Sequence, residues 1–371
     1  MNENLALWLK AKRTDFVVAP AAFPVPSTDE IAIRVRAVAV NPMDRLVRTM
    51  GDFITPWLKY PFIPGSDVAG EVIAIGPEVT RFQIGDRVLG YAAGADKGHS
   101  STEGGFQTFV VLKSHMASEI PATLSFEAAS VLPLGLSTAA TALFEPDCVA
   151  LDRPSAAPRP TGKTVLIWGG STSVGSNAIQ LAVAAGYDVI ATASPRNFEY
   201  VKRLGAHLAF DYASKSVVAD IVAALKGRHL AGALAIGVGS AAKCLDIVGA
   251  SKGRRFVAMA TPPASFDHLP AGRGRFLRLL PTLMRSGWGF AMLAIRARIA
   301  GASTKFVWGS ALLNTDVGPL IFEEFLPAAL ADGRFRAAPD PVVVGHGLDQ
   351  IPLALDRQLE GVSATKLVVT L

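Results

Sequence analysis

Apolar positions near the middle of the chain change from a continuous run to helical spacing. Residues 165–168 form a short apolar run, and residues 169–175 form a turn of small side chains. After the turn, apolar residues recur at i, i+3, i+4 and i+7: Ala178, Leu181, Ala182 and Ala185. A strand, a tight turn and a helix in this order let backbone N–H groups meet a pyrophosphate. Because Gly169, Ser171 and Gly175 stand where three glycines are usual, a plain strand–helix turn remains open.

A second apolar strand is predicted at residues 188–193, and the segment after it contains no acidic residue. NAD-dependent enzymes place a carboxylate there to hold the ribose 2′-hydroxyl. This chain has Ser194, Arg196 and Asn197 instead, and a hydroxyl, a guanidinium and an amide suit a 2′-phosphate. Ser194, which precedes a proline, also fits a helix N-cap. With Tyr212 placed after the third strand to lie against the adenosine, the pattern favours NADPH.

The rest of the pattern predicts two domains, one inserted into the other. Short strands separated by glycine turns predict a small irregular barrel in the first part: residues 31–36, 68–75, 87–91 and 106–112. A proline-rich loop at 154–160 precedes four or five strand–helix units that end near Phe306. The tail alternates helices and strands: 319–331, 342–344, 350–359 and 366–371. A nucleotide-binding domain at 131–314 is therefore expected inside a catalytic domain made of 1–130 and 315–371.

An apolar stretch at residues 276–300 is long enough to raise the question of a membrane span. Charged residues, a proline and a glycine interrupt it: Arg278, Arg285, Arg296, Arg298, Pro281 and Gly287. We therefore expect no membrane span. The pattern predicts two amphipathic helices that cover the sheet and the active-site cleft, in preference to a segment on a membrane surface.

Composition narrows the function classes. A length of 371 residues suggests about two domains, and 50% hydrophobic with 18% charged residues is typical of a well-packed protein. The net charge of +5 comes without a basic stripe interleaved with aromatic residues, so nucleic acid is not expected as a partner. Cys148 and Cys244 lie far apart, which excludes a disulfide scaffold and a cysteine-rich zinc site. Residues 1–4 lack the start of a signal peptide, so a cytoplasmic location is expected.

Five segments in order along nearly the whole chain carry a family signature: residues 39–44 (AVNPMD), 61–72 (PFIPGSDVAGEV), 85–88 (GDRV), 165–175 and 203–206 (RLGA). Together they resemble the medium-chain dehydrogenase/reductase superfamily. Segments 167–175, 317–330 and 361–369 resemble more narrowly its zinc-free quinone-oxidoreductase-like and trans-acting enoyl-reductase members. The resemblance implies an α/β fold, a Rossmann doubly wound parallel sheet inserted into a GroES-like β-barrel catalytic domain.

The residues at the zinc positions of this superfamily agree with the zinc-free branch. In its zinc alcohol dehydrogenases a cysteine follows the first strand and Gly-His-Glu supplies further ligands, whereas this chain has Asn41 and Gly65-Ser66-Asp67. Asn and Ser are poor zinc ligands, so we expect no metal. Without a Lewis acid, the chemistry implied is hydride transfer to an acceptor that is already electrophilic, such as an enone, an enoyl thioester or a quinone.

The resemblance also implies roles for individual residues. Asn41 and Thr138 are the candidate catalytic residues, Asn41 beside the nicotinamide ribose and Thr138 approaching the nicotinamide. The residues implied to bind NADPH are Asn41, Asp44, Thr138, Ser171, Thr172, Ser173, Val174, Ser194, Arg196, Asn197, Tyr212, Val362 and Ser363. Val362 and Ser363 would close over the cofactor from the catalytic domain. Asn41 as a simple turn residue before a proline, and Thr138 as helix packing, remain open.

No residue is identified as the proton donor. Some enoyl reductases of the superfamily carry a tyrosine in the region where this chain has Phe53, which cannot donate a proton. Lys59, Tyr60 and water remain open, and none of the six histidines forms a recognisable pair.

Three functions stay open on the sequence alone. The first is an NADPH-dependent reductase of activated double bonds, acting on a small-molecule or carrier-bound enoyl substrate. The second is a quinone reductase on the same site, and the third is a non-enzymatic NADPH-binding protein. A homodimer is also left open.

Overall fold

The computed structural model describes residues 3–266 and 275–371, and it leaves the side chains of Asp52 and of residues 275–278 undescribed. The predicted interruption at Arg278 and the histidine His268 therefore lie outside the described side chains. In the described part the strands are β1 (Asn4–Leu9), β2 (Phe16–Ala21), β3 (Glu30–Ala39), β4 (Asp67–Ile75), β5 (Arg87–Tyr91), β6 (Phe109–Lys113), β7 (Ala117–Glu119), β8 (Lys163–Trp168), β9 (Asp188–Ala193), β10 (Leu208–Asp211), β11 (His229–Ala235), β12 (Phe256–Met259), β13 (Ser303–Phe306), β14 (Asp340–His346) and β15 (Thr365–Thr370).

The α-helices are numbered along the chain in the same way. They are α1 (Pro42–Ile54), α2 (Phe126–Ser130), α3 (Pro133–Phe144), α4 (Ser173–Ala184), α5 (Phe198–Arg203), α6 (Val217–Ala224), α7 (Ser240–Ala250), α8 (Arg275–Ala300), α9 (Val317–Pro319), α10 (Leu326–Ala331) and α11 (Ile351–Leu359). A π-helical segment, Leu320–Phe325, joins α9 to α10.

Met1–Leu134 and Leu313–Leu371 form one compact unit, the first unit. Its main sheet has seven strands in the order β14-β15-β3-β4-β5-β7, with β6 also paired to β3, and β1 and β2 form a separate antiparallel pair. Strand β3 lies at the centre, where Ala39 pairs with Asp67 of β4 on one side and with Val368 of β15 on the other. The last strand of the chain is therefore held close to the start of β4.

Gly135–Leu312 forms the second unit. Its six strands are all parallel, in the order β10-β9-β8-β11-β12-β13. Strands β8, β9 and β11 are buried along almost their whole length, as expected for parallel strands covered by helices on both faces. The order reverses between β8 and β11, where doubly wound sheets bind their ligands at the carboxyl ends of the strands. The predicted α/β class with a doubly wound parallel sheet is confirmed.

The stretch predicted as two amphipathic helices is a single helix, α8, with Pro281 inside it. The prediction of two helices is wrong because packing outweighs the helix-breaking tendency of the proline and glycine. One face of α8 is buried at Leu279, Ser286, Leu293 and Ala297. At its end α8 lies against α7, where a Cβ added to Gly249 would come within 3.0 Å of the Ala300 Cβ.

One helical stretch of the described residues, Phe126–Phe144, is long and apolar enough to cross a membrane by length and composition alone. However, 78% of its apolar window is buried inside the protein. Burial to that extent is typical of a core helix.

Candidate functional site

The turn between β8 and α4 is built by glycines and one threonine. Gly169 has φ +88°, and a Cβ on Gly175 would lie 2.2 Å from the Gly169 carbonyl oxygen, so both positions require glycine. Thr172 is the N-cap of α4: its hydroxyl accepts from the Gly175 N–H at 3.0 Å and donates to the Gly169 oxygen at 2.8 Å. The Thr172 hydroxyl therefore holds the turn and accepts the Gly175 N–H, and the preceding N–H groups of Ser173 and Val174 remain at the N-terminus of α4.

Ser173 gives an observation that bears directly on phosphate binding. Its Oγ is buried, and no hydrogen-bond partner for it occurs among the described residues. The atom lies close to Gly135, since a Cβ added there would come within 2.4 Å of it. A buried hydroxyl without a partner at a helix N-terminus suits an anionic oxygen, because the N-terminus also carries the positive end of the helix dipole. Ser171 and Val174 flank it, both half-buried.

The ends of β9 and β10 meet at one edge of the sheet. The Ser194 hydroxyl donates to the Tyr212 hydroxyl at 3.4 Å, which brings together two residues predicted to bind the adenosine 2′-phosphate region. Ser194 occupies the expected N-cap position, but its side chain makes no capping hydrogen bond. Arg196 is exposed and has no ion pair within the described part of the chain, and Asn197 is buried.

Lys243 at the start of α7 is a residue that sequence reasoning missed at this edge. Its Nζ donates to the Tyr212 carbonyl oxygen at 3.1 Å and lies 5.2 Å from the centre of the Trp168 ring. Trp168 is the last residue of β8, and α7 follows β11. Lys243 therefore lies near the point between β8 and β11 where the strand order reverses. In the sequence, β11 ends at Ala235 and is followed by glycines. These glycines were a signal that the loop between β11 and α7 lies at the same edge of the sheet.

In the first unit, Asn41 lies at the N-cap position of α1 and is buried. Its Nδ2 donates to Asp67 Oδ2 at 2.8 Å, and its backbone N–H donates to Asp44 Oδ2, also at 2.8 Å. Lys366 donates both to Asp67 Oδ2 and, at 3.1 Å, to the carbonyl oxygen of Val131. The Asn41 amide is therefore oriented by a buried ion pair. We call Asn41, Asp44, Asp67 and Lys366 the Asn41 cluster.

Sequence reasoning quoted Asp67 and Lys366 only as parts of motifs. The two residues are 299 positions apart, and no local pattern joins them. Asp67 is completely buried, and its other oxygen accepts from the Leu134 N–H at 2.6 Å. A buried carboxylate needs such partners, since an unpaired charge in the interior costs several kcal/mol. An aspartate at the start of a largely apolar strand was the sequence signal that a distant cation must meet it.

Asp44 is the second carboxyl group of the Asn41 cluster. Burial, together with the negative charge of Asp67, raises the pKa of Asp44 from 3.8 to about 7, although the hydrogen bond from the Asn41 N–H acts to lower it. Asp44 is therefore an interior group that holds the Asn41 backbone in place, and it changes its charge near neutral pH.

The other predicted residues are distributed over both units. Thr138 is buried in α3, next to Ser137, whose hydroxyl donates to the Gly309 carbonyl oxygen. Val362 is exposed and Ser363 half-buried, in the short segment before β15. Thr138 belongs to the second unit, whereas Val362 and Ser363 belong to the first.

The residues weighed as proton donors differ in their surroundings. Phe53 and Lys59 are exposed, whereas Tyr60 is half-buried and packs edge-on against the Phe62 ring at 6.5 Å. Burial raises the pKa of Tyr60. Within the described residues no cluster of three or more His, Cys, Asp or Glu side chains is placed to hold a metal ion.

Comparisons with known proteins agree with this architecture. Residues 27–122 match the family model described as the alcohol dehydrogenase GroES-like domain, which confirms the GroES-like domain predicted for this part of the chain. Over 374 aligned residues the chain is 47% identical to dehydrogenase pigH of Monascus ruber, covering 100% of both proteins. It is 37% identical to trans-enoyl reductase himH of Aspergillus japonicus, covering 99% of this chain and 97% of himH.

Among solved structures, the chain resembles an alcohol dehydrogenase superfamily protein from Novosphingobium aromaticivorans. The TM-score is 0.73 at 25% sequence identity, and the match covers 99% of each chain.

Proposed function

We propose that this chain, which belongs to the medium-chain dehydrogenase/reductase superfamily and is an oxidoreductase, uses NADPH and no metal to reduce an activated carbon–carbon double bond. The substrate class is an enone or an enoyl thioester. The observation that carries the proposal is the Asn41 cluster, in which an amide donor is oriented by the buried pair of Asp67 and Lys366. A fixed hydrogen-bond donor suits the oxygen on which charge develops when a hydride adds to such an acceptor. The relative himH is named a trans-enoyl reductase, which supports the same reaction class.

The charges around Asp67 support the metal-free part of the proposal. Both the Lys366 ammonium and the Asn41 amide donate to Asp67 Oδ2, so positive charge already neutralises that carboxylate. Zinc prefers thiolate, imidazole and carboxylate ligands, and the neighbouring positions carry the Asn41 amide and the Ser66 hydroxyl. Elemental analysis of purified, tag-free protein tests this point. One zinc per chain that survives dialysis, and whose removal abolishes activity, would contradict it.

The second unit supplies the residues proposed to hold NADPH. The first-turn N–H groups of α4, with the hydroxyls of Ser171 and Ser173, would bind the pyrophosphate. At the edge formed by β9 and β10, Ser194, Arg196 and Asn197 would bind the 2′-phosphate, with Tyr212 against the adenosine. Arg196 carries most of the preference over NADH, because a guanidinium forms charge-assisted hydrogen bonds with phosphate. NADPH, when bound, supplies the hydride.

Asn41 is the group proposed to act on the substrate. One N–H of its amide is held by Asp67, and the other would donate to the substrate carbonyl oxygen. As the β-carbon accepts the hydride, negative charge moves to that oxygen and the hydrogen bond strengthens. The α-carbon then takes a proton, for which water is the proposed source. Phe53 cannot serve as the donor, and the raised pKa of Tyr60 makes its hydroxyl a weaker acid.

Deuterium transfer tests the proposed reaction. Enones, enoyl thioesters and quinones are assayed for NADPH consumption, and the active substrates are then reduced with deuterated NADPH. The label is expected at the β-carbon of a saturated carbonyl product. Deuterium only on a carbinol carbon, with the double bond intact, would show carbonyl reduction, and turnover of quinones alone would assign the site to quinone reduction. Tight NADPH binding without turnover of any acceptor would favour a binding protein.

Replacing Asn41 by alanine tests its catalytic role. Loss of one such donor costs about 3 kcal/mol of barrier, so turnover by Asn41→Ala should fall roughly a hundredfold while NADPH still binds. Single-turnover kinetics per folded molecule measures the effect. If Asn41 only shapes the turn before α1, stability falls and turnover per folded molecule survives.

A further inference from the structure

Helix α8 presents an exposed apolar line that the proposed chemistry does not use. It consists of Leu280, Met284, Trp288, Ile295 and Ile299, which we call the outer stripe. The exposed fraction is 66% for Met284, 70% for Trp288 and 81% for Ile299. Isolated exposed apolar residues are common on proteins, but a line of them on one helix marks an interaction surface.

The outer stripe is a separate face of α8. At about 100° per residue, its five side chains fall within an arc of about 100° on the helix. The residues that α8 buries lie about 140–180° away from Trp288: Leu279, Ser286, Leu293 and Ala297. The helix therefore packs on its own unit through one face and offers the opposite face to solvent. From Leu280 to Ile299 the stripe is about 29 Å long.

Arginines border the stripe on both sides. Arg285 and Arg296 lie about 60–80° from Trp288 on one flank, and Arg298 lies about 80° away on the other. The sequence of α8 contains no aspartate or glutamate. On the neighbouring helix α7, Asp246 lies 3.4 Å from Arg296 and neutralises that charge in part. The surface is thus an apolar line with a cationic rim.

We propose that the outer stripe seats the protein on an anionic phospholipid bilayer surface, which is the alternative that the sequence pattern of residues 276–300 disfavoured. Tryptophan, methionine and isoleucine side chains enter the boundary between headgroups and acyl chains, and the bordering arginines reach the anionic headgroups. A bilayer needs no matching cleft, which agrees with a stripe carried by a single helix. A second copy of this chain is disfavoured, because a symmetric contact would bring two cationic rims together without an acidic residue on either helix.

Vesicle flotation tests this surface with the full-length protein. We expect binding to phosphatidylcholine vesicles that contain phosphatidylserine, weak binding to phosphatidylcholine alone, and loss of binding at high salt. The double variant Trp288→Gln/Ile295→Gln should lower the partition coefficient about tenfold or more. The double variant Arg285→Gln/Arg298→Gln should lower the partition coefficient by a similar factor, because each arginine contributes about fivefold. This loss is expected on the anionic vesicles alone.

The matched control is Ile84→Gln, which removes an exposed isoleucine, 72% accessible, from the first unit. It should float like the wild type, and all variants should keep the wild-type melting temperature and NADPH affinity, since only exposed side chains change. Failure of the wild type to float with anionic vesicles overturns the proposal. So does equal binding by the double variants. A wild-type dimer that Trp288→Gln/Ile295→Gln converts to a monomer would assign the stripe to a second copy.

Discussion

The turn between β8 and α4 and the Asn41 cluster differ in how far along the chain their parts are separated. In the turn, the Thr172 hydroxyl bonds to residues only three positions away on either side. In the cluster, Asn41 meets Asp67 across 26 positions and Lys366 meets Asp67 across 299. The turn is a local backbone structure, whereas the cluster exists only when the sheet of the first unit has formed. Breaking the Asp67–Lys366 pair of the cluster should therefore affect folding first, whereas changes at the turn should also weaken cofactor binding.

The largest effect is expected when the buried ion pair is broken. Lys366→Met leaves Asp67 charged and fully buried without its cation, so the free energy of unfolding should fall by about 3–5 kcal/mol. Urea unfolding at neutral pH measures the loss. The double variant Lys366→Met/Asp67→Asn removes both charges and should recover much of the stability. If Lys366→Met unfolds at the wild-type urea concentration, the pair contributes nothing and the proposed orientation of Asn41 loses its support.

Removing the exposed guanidinium at the β9 edge should change binding without changing stability. Arg196→Ala should weaken NADPH binding by roughly tenfold to a hundredfold, corresponding to about 1.5–3 kcal/mol, and leave NADH binding almost unchanged. Titration of both cofactors by fluorescence measures the difference. Lys202→Ala is the control, because Lys202 is paired with Glu199 at 3.1 Å and should matter little. Equal affinity of the wild type for NADH and NADPH would refute the preference.

The glycine at the start of α4 offers a test of the turn itself. Gly175→Ala places a Cβ 2.2 Å from the Gly169 carbonyl oxygen, and we expect a loss of about 1–3 kcal/mol in stability together with weaker NADPH binding. Gly287→Ala in α8 is the matched control, since nothing lies within 4 Å of its added Cβ. That helical substitution should be neutral or stabilising by up to about 1 kcal/mol. Thermal melts with and without NADPH distinguish the two variants, and identical behaviour would show that the turn tolerates a side chain.

The buried Asp44 carboxyl should make the stability of the protein depend on pH. The pKa of Asp44 is about 7 in the folded state, raised from 3.8 by burial. The folded state therefore holds this proton more tightly than the unfolded chain, and the associated stability is present below about pH 3.8 and lost as the pH rises to about 7. The contribution to the slope is at most about 1.4 kcal/mol per pH unit.

Asp44→Asn keeps the size of the side chain and an acceptor for the Asn41 N–H. Its unfolding free energy, measured in urea between pH 5 and 8, should decline less with pH than that of the wild type. Parallel pH profiles for the two proteins would mean that Asp44 does not titrate in this range.

Local sequence was enough for the elements of the second unit. The alternation of apolar runs and helical spacing predicted β8 and β9 close to their observed bounds and a helix where α4 lies, because each is specified by residues that are near one another in the chain. The sequence also shows directly that no acidic residue stands at positions 194–197 after β9. The helix α8 was predicted wrongly, since Pro281 and Gly287 are local signals for a break and only packing on α7 overrides them.

The sequence by itself determined the α/β class, the small-residue turn before α4 and the cation at Arg196, because these depend on periodicity and on residue identity over short spans. Only the tertiary structure decided which cation meets Asp67. That partner follows from the register of β3, where Ala39 pairs with both Asp67 and Val368 and so brings the C-terminal strand beside β4. It likewise decided that Lys243 lies against Trp168 and the Tyr212 carbonyl. Such contacts join residues from different strands, and their distances depend on sheet order, which no local pattern encodes.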